Sequence, residues 1–400
     1  MKNQTFITLL LLAGWLGALA EYGFAQGASN VTQLIRDSQS ALAAEKLDEA
    51  ERLARGAVDL DPAHPPAWRQ YGLALLRGSK PKEAAEALQR AVSMDDKDAT
   101  AWRGLGQAQW QARQTNEAVR ALSAYLRLKP EDASVWRDLA AWLTRLERGD
   151  QAIAALERVV DLKPDDASAW RELGSWLARL KRFEPAAAAL EQATRLKPDD
   201  ASAWRDLAAV NAGSGRQEQA VAALERVTRL KPDEAGAWRD MAAALTRLER
   251  HEQAAAALDQ VTRLTPEHAA AWREKAAALT QIGRHGPAAD ALERAVALAP
   301  DDAAAWRELA AARTRLDQPA QAAAAFQRVV ALKPDEALAW RELATAWTRL
   351  DKPEQAVEAL EKAIKLSPKE AAAWRALAVL HQRAGRGPEA AKAFEQALAA

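Results

Sequence analysis

Apolar and small residues recur along the chain at helical spacing, in pairs of short runs separated by polar breaks. In the stretch Ala167–Asp200 they fall at Trp170, Leu173, Gly174 and Leu177, and after a break at Ala186, Leu190 and Ala193. Steps of three and four residues put each set on one face of a helix, so the pattern predicts helix, turn, helix, turn. Pro198 stops the second helix, and Lys197 sits in its last turn against the negative end of the dipole. Asp199 and Asp200 suit the start of the helix that follows.

Shifted by 34 residues in either direction, this stretch lands on itself. Trp68, Trp102, Trp136, Trp170, Trp204, Trp238, Trp272, Trp306, Trp340 and Trp374 are evenly spaced, and an Arg follows each one. Repetition at a fixed period of this size means a stacked array in which neighbours share one core, so 400 residues need not imply two or three separate globular domains. Ala84, Ala118, Ala152, Ala186, Ala220, Ala254, Ala288, Ala322, Ala356 and Ala390 occupy one slot in every unit, where only a small side chain lets two helices approach.

The succession Trp170, Leu173, Gly174, Leu177, Ala186, Leu190, Ala193 and Pro198 resembles the tetratricopeptide repeat family, with aliphatics in place of two aromatics. The resemblance covers about nine tenths of the chain and holds in register through ten units. It implies an all-α fold, a right-handed superhelical solenoid of helix-turn-helix repeats, whose inner face is lined by the first helices and binds an extended peptide or a partner's helix. Some units depart from the pattern: Lys275 replaces a Leu, Asn211, Arg313 and His381 occupy the Tyr slot, and Asp96 replaces a Pro. Those units are expected to be looser.

Taken in order, Met1–Ala20 has an early Lys2, the 14-residue apolar run Ile7–Ala20, and small residues at Ala18 and Ala20. That is the layout of a secretory signal peptide, with cleavage after Ala20 or Ala25. The run falls short of the ~20 residues that span hydrocarbon, so no stable span is expected once it is removed. The mature chain is then expected to be periplasmic or secreted. Residues 27–64 read as a degenerate capping repeat, with Leu34 where Trp would stand and Asp37, Ser38 and Gln39 giving the polar face an array end needs. Residues 65–400 form ten 34-residue units, the last ending inside its second helix with Phe394 and Leu398 uncovered, an end open to self-association or to docking on another protein.

Lys plus Arg and Asp plus Glu balance at 55 each, which gives bulk charge no case for a nucleic-acid partner. The lack of cysteine excludes disulfides, thiolate metal sites, a Cys nucleophile and a lipobox. Any electrostatic preference must therefore come from local placement.

That placement is regular. On a helical wheel the arc opposite the first helix's core stripe carries one Arg beside the Trp, as Arg69, Arg103, Arg137, Arg171, Arg205, Arg239, Arg273, Arg307, Arg341 and Arg375. A second Arg two turns on recurs as Arg77, Arg145, Arg179, Arg247, Arg315, Arg349 and Arg383. Between them stand small residues such as Ala141, Ser175, Ala209, Ala243, Ala277 and Ala311, and Thr144, Thr246, Thr280, Thr314 and Thr348. Short side chains between long cations predict a trough that takes the carboxylates of an acidic segment or polymer, because guanidinium forks onto carboxylate. The bland alternative is that each Arg pairs with a local acid, among them Asp138, Glu172, Asp206, Asp240, Glu274, Glu308 and Glu342. Exposed pairs of that kind contribute ~0–1 kcal/mol each and leave little net field.

Ten of the 15 tryptophans sit on the core stripe and are expected to pack; Trp15 leaves with the signal, and Trp142, Trp176 and Trp347 lie near the stripe. Trp110, on the Arg arc, is the candidate exposed platform. His64, His251, His268, His285 and His381 are dispersed over turns, too far apart for a metal cluster, and read as solvated loop residues. No phosphate loop, nucleophile elbow or paired-His motif is present, so no catalytic residue, metal or cofactor is expected. The reading is a protein–protein interaction scaffold of the bacterial envelope, binding a partner segment in the Arg-lined groove. Similar exported repeats assist secretion, pilus or polysaccharide-export machinery. Two rivals stand beside it: a module that handles an acidic glycan through Trp110 and the Arg trough, and the helical arm of a larger enzyme.

Overall fold

The computed structural model describes residues 30–400, so the signal-peptide reading of the first 25 residues and Trp15 lie outside the described residues. The described residues contain 22 α-helices and no strand. They fall into two compact units, one ending at Arg182 and the other beginning at Phe183. The first holds α1 (30–43), α2 (Leu47–Leu60), α3 (Pro65–Arg77), α4 (Pro81–Met94), α5 (Ala99–Gln111), α6 (Thr115–Leu128), α7 (Ala133–Arg145), α8 (Gly149–Leu162) and α9 (Ala167–Arg179). The second opens with α10 (Phe183–Leu196), α11 (Ala201–Gly213), α12 (Gln217–Leu230), α13 (Ala235–Arg247), α14 (His251–Leu264), α15 (Ala269–Gln281) and α16 (His285–Leu298). It continues through α17 (Ala303–Arg315), α18 (Pro319–Leu332), α19 (Ala337–Arg349), α20 (Pro353–Leu366), α21 (Ala371–Arg383) and α22 (Gly387–Ala399). Among the described residues no helix is long and apolar enough to cross a membrane.

The aspartates at the head of five repeats do the capping that their position foretells, whereas Glu234, Glu336 and Glu370 stand at the same position without a side-chain cap bond. Asp132, Asp166, Asp200 and Asp302 each accept two backbone N–H groups of the helix they precede, satisfying donors that a helix start leaves open. Between the two helices of a repeat the chain turns through a residue of positive φ, as at Glu249 (φ 59°) and Lys181 (φ 58°). Arg250 N–H then reaches back to the Leu245 carbonyl at 2.9 Å, which closes a Schellman turn.

The core sits between helix layers and is built largely from alanine. The ten alanines of the helix-contact slot are exposed by at most 5 %. The residue before each repeat Trp is as deep: Ala67, Ala101, Val135 and Ala169 in the first unit, and Ala237, Ala271, Ala339 and Ala373 in the second, are at 0 %. The tryptophans themselves differ from the sequence expectation. All ten are half-buried, and Trp68, Trp102, Trp340 and Trp374 pack on the edge of a core cluster instead of filling it. The reason is the indole nitrogen, which donates to the carbonyl six residues upstream at 2.8–3.0 Å in every repeat. Nine of those carbonyls belong to the Pro that ends the preceding helix; the tenth belongs to Asp96, so the missing Pro there does not loosen the tie.

Successive repeats are also joined, at five places, by an ion pair from the residue that precedes the second helix. Lys80 reaches Glu51 at 2.8 Å and Arg182 reaches Asp150 at 2.6 Å; in the second unit Arg216, Arg250 and Arg284 reach Glu184, Glu218 and Glu252 at 2.8–2.9 Å. Lys275, out of pattern in a Leu slot, turns its amine to Asp259 at 2.7 Å and lies 5.1 Å from the Trp272 ring centre.

Candidate functional site

First helices of neighbouring repeats enclose pockets where their small residues face one another. Between α13 and α15 a pocket of ≈ 640 Å³ is lined by Arg239, Ala243, Thr246, Arg247, Glu274 and Ala277 among others. Two repeats further on, between α17 and α19, a pocket of ≈ 370 Å³ is lined by Ala311, Thr314, Arg315, Glu342, Thr345 and Arg349, with Phe326 at only 6 % exposure in its wall. Both lie in one register of the repeat, and both are built from the arc positions that the sequence singles out. The shortness of Ala and Thr leaves the space, and the guanidiniums border it.

The two Arg rows differ in what holds them. The first row bridges repeats: Arg69 reaches Asp98 and Arg137 reaches Asp166, each at 2.7 Å, and Arg341 pairs with Glu370. Arg205 pairs with Glu234, with Asp240 at 3.9 Å, and Arg239 pairs with Glu274. Arg273 holds Glu308 at 2.7 Å and Asp302 at 3.4 Å, and Arg307 holds Glu336 at 2.8 Å and Glu342 at 3.1 Å. Each partner lies in the next repeat, as its helix cap or as the acid beside its own Arg, and not beside the Arg that it neutralises. Arg171 is half-buried and is also engaged. Arg103 makes no ion pair among the described residues, though its charge acts on Asp132 and Asp138.

The second row is exposed and largely uncommitted. Among the described residues Arg145, Arg247 and Arg315 hold no carboxylate, and Arg349 makes only a long hydrogen bond of 3.4 Å to the Thr314 carbonyl. Arg179 lies 4.3 Å over the Trp176 ring, a cation–π contact. Trp110 is half-buried with one face spent: its ring stacks on Trp142 with centroids 4.6 Å apart and planes at 4°.

Carboxylates enter the same face, which the sequence reading placed beside the Arg row without assigning them to pockets. Glu274 and Glu342 line the two pockets. Burial raises the Asp138 and Glu172 carboxyls above their ordinary values, against the opposing charges of Arg103 and Arg137. Asp132 goes the other way. Burial pushes it up, but bonds from Ser134, Tyr125 and Val135, together with the Arg103 charge, outweigh burial and hold it at about 2.

Three of the five histidines are not solvated loop residues, whereas His268 is an exposed residue of the loop before α15. His251 and His285 open α14 and α16, half-buried, and His381 lies in the last turn of α21. Each has an Nδ1 shut off from solvent with no partner among the described residues. His64 and His268 are helix caps, and His268 Nδ1 accepts from Ala271 N–H at 3.2 Å. The 17-residue spacing hides this because it counts repeat slots rather than loops. Among the described residues no three His, Asp or Glu gather as metal ligands would.

Two family models described as tetratricopeptide repeat match the chain, one over residues 139–203 and the other in seven stretches from 38–99 to 348–400. No curated protein matches by sequence. Among solved structures, the Naa15/Naa10 complex bound to HypK-THB is 17 % identical with a TM-score of 0.55, covering 92 % of this chain and 68 % of that one. The C-terminal part of a TPR repeat-containing protein from Cytophaga hutchinsonii is 15 % identical (TM-score 0.47; 60 % and 98 % covered). YrrB, a TPR protein with an unusual peptide-binding site, is 22 % identical (TM-score 0.40; 46 % and 95 % covered). At these identities the likeness is one of fold.

Proposed function

The chain belongs to the tetratricopeptide repeat family of protein-interaction scaffolds, and from that premise we propose that its first-helix face binds an extended acidic segment of a partner protein. The observation that carries the reading is the division of labour between the Arg rows. Arg239, Arg273 and Arg307 hold neighbouring repeats together, while Arg247, Arg315 and Arg349 stand exposed at the rims of two pockets in one register. An exposed guanidinium without a partner gives up no ion pair when a ligand carboxylate arrives, and two-point hydrogen bonding adds orientation to charge. A committed Arg must first lose its own acid.

The partner chemistry follows from the rims: carboxylates for the guanidiniums and short side chains for the Ala and Thr pockets. The apolar run Ile7–Ala20 supports an exported chain, and the proposed setting is therefore the bacterial envelope, in an assembly or secretion apparatus. A second reading, an acidic glycan, is favoured by one observation, the Trp110–Trp142 stack beside the Arg arc.

The test uses the full chain and a fluorescein-labelled peptide of alternating Glu and Ser, read by anisotropy. Binding that weakens as salt rises, and falls more than tenfold in the triple variant Arg247→Gln, Arg315→Gln, Arg349→Gln with its melting temperature kept, is the expected result. Unchanged binding in that variant overturns the proposal. A polyuronate that binds where the peptide does not would move the reading to the glycan.

A further inference from the structure

Outside the groove, one repeat places a cation in a slot that others fill with a core leucine, and a pocket opens beside it. The slot seven residues after the repeat Trp holds Leu75, Leu143, Leu177, Leu245 and Leu279 in five repeats, each exposed by only 2–6 %. In the repeat of Trp306 the same slot holds Arg313. Its side chain is 12 % exposed, so a charge stands where five other repeats place a core leucine. Beside it, between α16, α17 and α18, lies a pocket of ≈ 600 Å³ that shares no lining residue with either groove pocket. Val296, Pro300, Trp306, Leu309 and Ala325 make its walls apolar.

The charges around this pocket do not cancel. Arg313 and Arg328 both line it, and one carboxylate, Glu293, lines it with them. Arg328 is exposed and lies over the Trp306 ring, 5.6 Å from its centre. Arg313 donates to Glu293 and, at 2.7 Å, to Gln318 Oε1. Glu293 is itself 54 % exposed, so leaving Arg313 returns it to water at little cost, whereas the guanidinium sunk in the wall cannot follow. A buried cation whose counter-ion is loosely held, at the mouth of an apolar pocket of ligand size, is a site for an anion with an apolar body.

We propose that this pocket binds a small amphiphilic carboxylate, alkyl or aryl, whose chain lies against Val296, Leu309 and Trp306 and whose head replaces Glu293 on Arg313. The second guanidinium, on Arg328, balances the added charge. The exchange is one carboxylate for another, so Arg313 remains paired throughout. This site is independent of the groove and of its acidic segment.

Isothermal titration calorimetry of the full chain with sodium octanoate tests it, with 1-octanol as the neutral analogue of equal chain length. One saturable site for octanoate is expected, and octanol at least tenfold weaker. Arg313→Leu installs the residue that five other repeats carry in this slot, so it should keep or raise the melting temperature while losing octanoate binding by more than tenfold. Glu293→Gln, which removes the competing carboxylate, should tighten binding several-fold. Ala324→Leu narrows the pocket without touching the guanidinium and should weaken octanoate even if Arg313→Leu misfolds. Absence of saturable binding, equal binding of octanol, or several weak sites that ignore both Arg313→Leu and Ala324→Leu would overturn the proposal.

Discussion

The rings of Trp110 and Trp142 lie face to face, 4.6 Å between centroids and 4° between planes, although they stand in successive repeats and at different slots of them. One sits eight residues after its repeat Trp and the other six, so the repeat offset and the slot offset bring the two rings together. Trp142→Ala is expected to cost more than the ~0.5–1.5 kcal/mol of an aromatic pair and less than the ~3–5 kcal/mol of a fully buried Trp. Urea titration measures the cost, and loss of the exciton couplet in the indole circular-dichroism bands shows that the stack is gone.

Gly72 is the glycine of the first unit that a neighbouring helix approaches most closely. A Cβ there would meet Leu88 Cγ at 2.5 Å and the Leu88 backbone nitrogen at 3.1 Å. Gly72→Ala is therefore expected to destabilise by ~1–3 kcal/mol through overpacking, even though Ala140 fills the same slot of a later repeat at 1 % exposure. A midpoint unchanged in urea would show that α3 and α4 move apart freely.

Asp132 ties α7 to Tyr125, whose hydroxyl donates to it at 2.6 Å. Its carboxyl is held at about 2, below the ~3.9 of an unfolded Asp, so the folded form binds its proton later. Its contribution is fully present above about pH 4 and is lost as pH falls toward 2. Asp132→Asn keeps a capping side chain but cannot titrate. The wild type should lose stability more steeply than this variant between pH 4 and 2, in thermal melts across that range; parallel curves would refute the assignment.

Arg273 reaches both Asp302 and Glu308 of the next repeat, while Arg315 reaches no acid among the described residues. Arg273→Gln should lower stability by up to ~1 kcal/mol, less at high salt, since the pair is about two-fifths exposed. It should leave acidic-peptide binding within a few-fold. Arg315→Gln should do the reverse. Denaturant titration and anisotropy on both single variants separate the two rows.

Much of the fold is legible because each local signal agrees with the others. Helix spacing, the Pro after nearly every second helix, the Asp or Glu before most first helices and the Ala of the contact slot all repeat in phase. The groove is legible in part: Arg247, Arg315, Ala243 and Thr314 line pockets as the wheel places them. The pairing of the first Arg row is not, because the acid nearest along the chain, such as Asp240 beside Arg239, is not the one that the Arg holds. The offset between neighbouring helices selects the acid one repeat ahead, as in Arg239 with Glu274. The depth of the tryptophans is hidden for a related reason. Hydropathy assigns Trp170 to the core, and the indole N–H, which needs an acceptor, draws it to the Pro164 carbonyl at the edge.

By itself the amino-acid order determined the period, the helix pairs and their limits, and the face on which cations alternate with small residues, since all of these depend on spacing within about one repeat. Tertiary structure alone decided which guanidiniums are taken and which stand open, that Trp110 lies on Trp142, and that Arg313 borders a pocket. Those outcomes depend on distances between side chains 20 to 35 residues apart. Such distances are set by how one helix layer packs on the next, and a pattern that repeats identically in sequence carries no record of it.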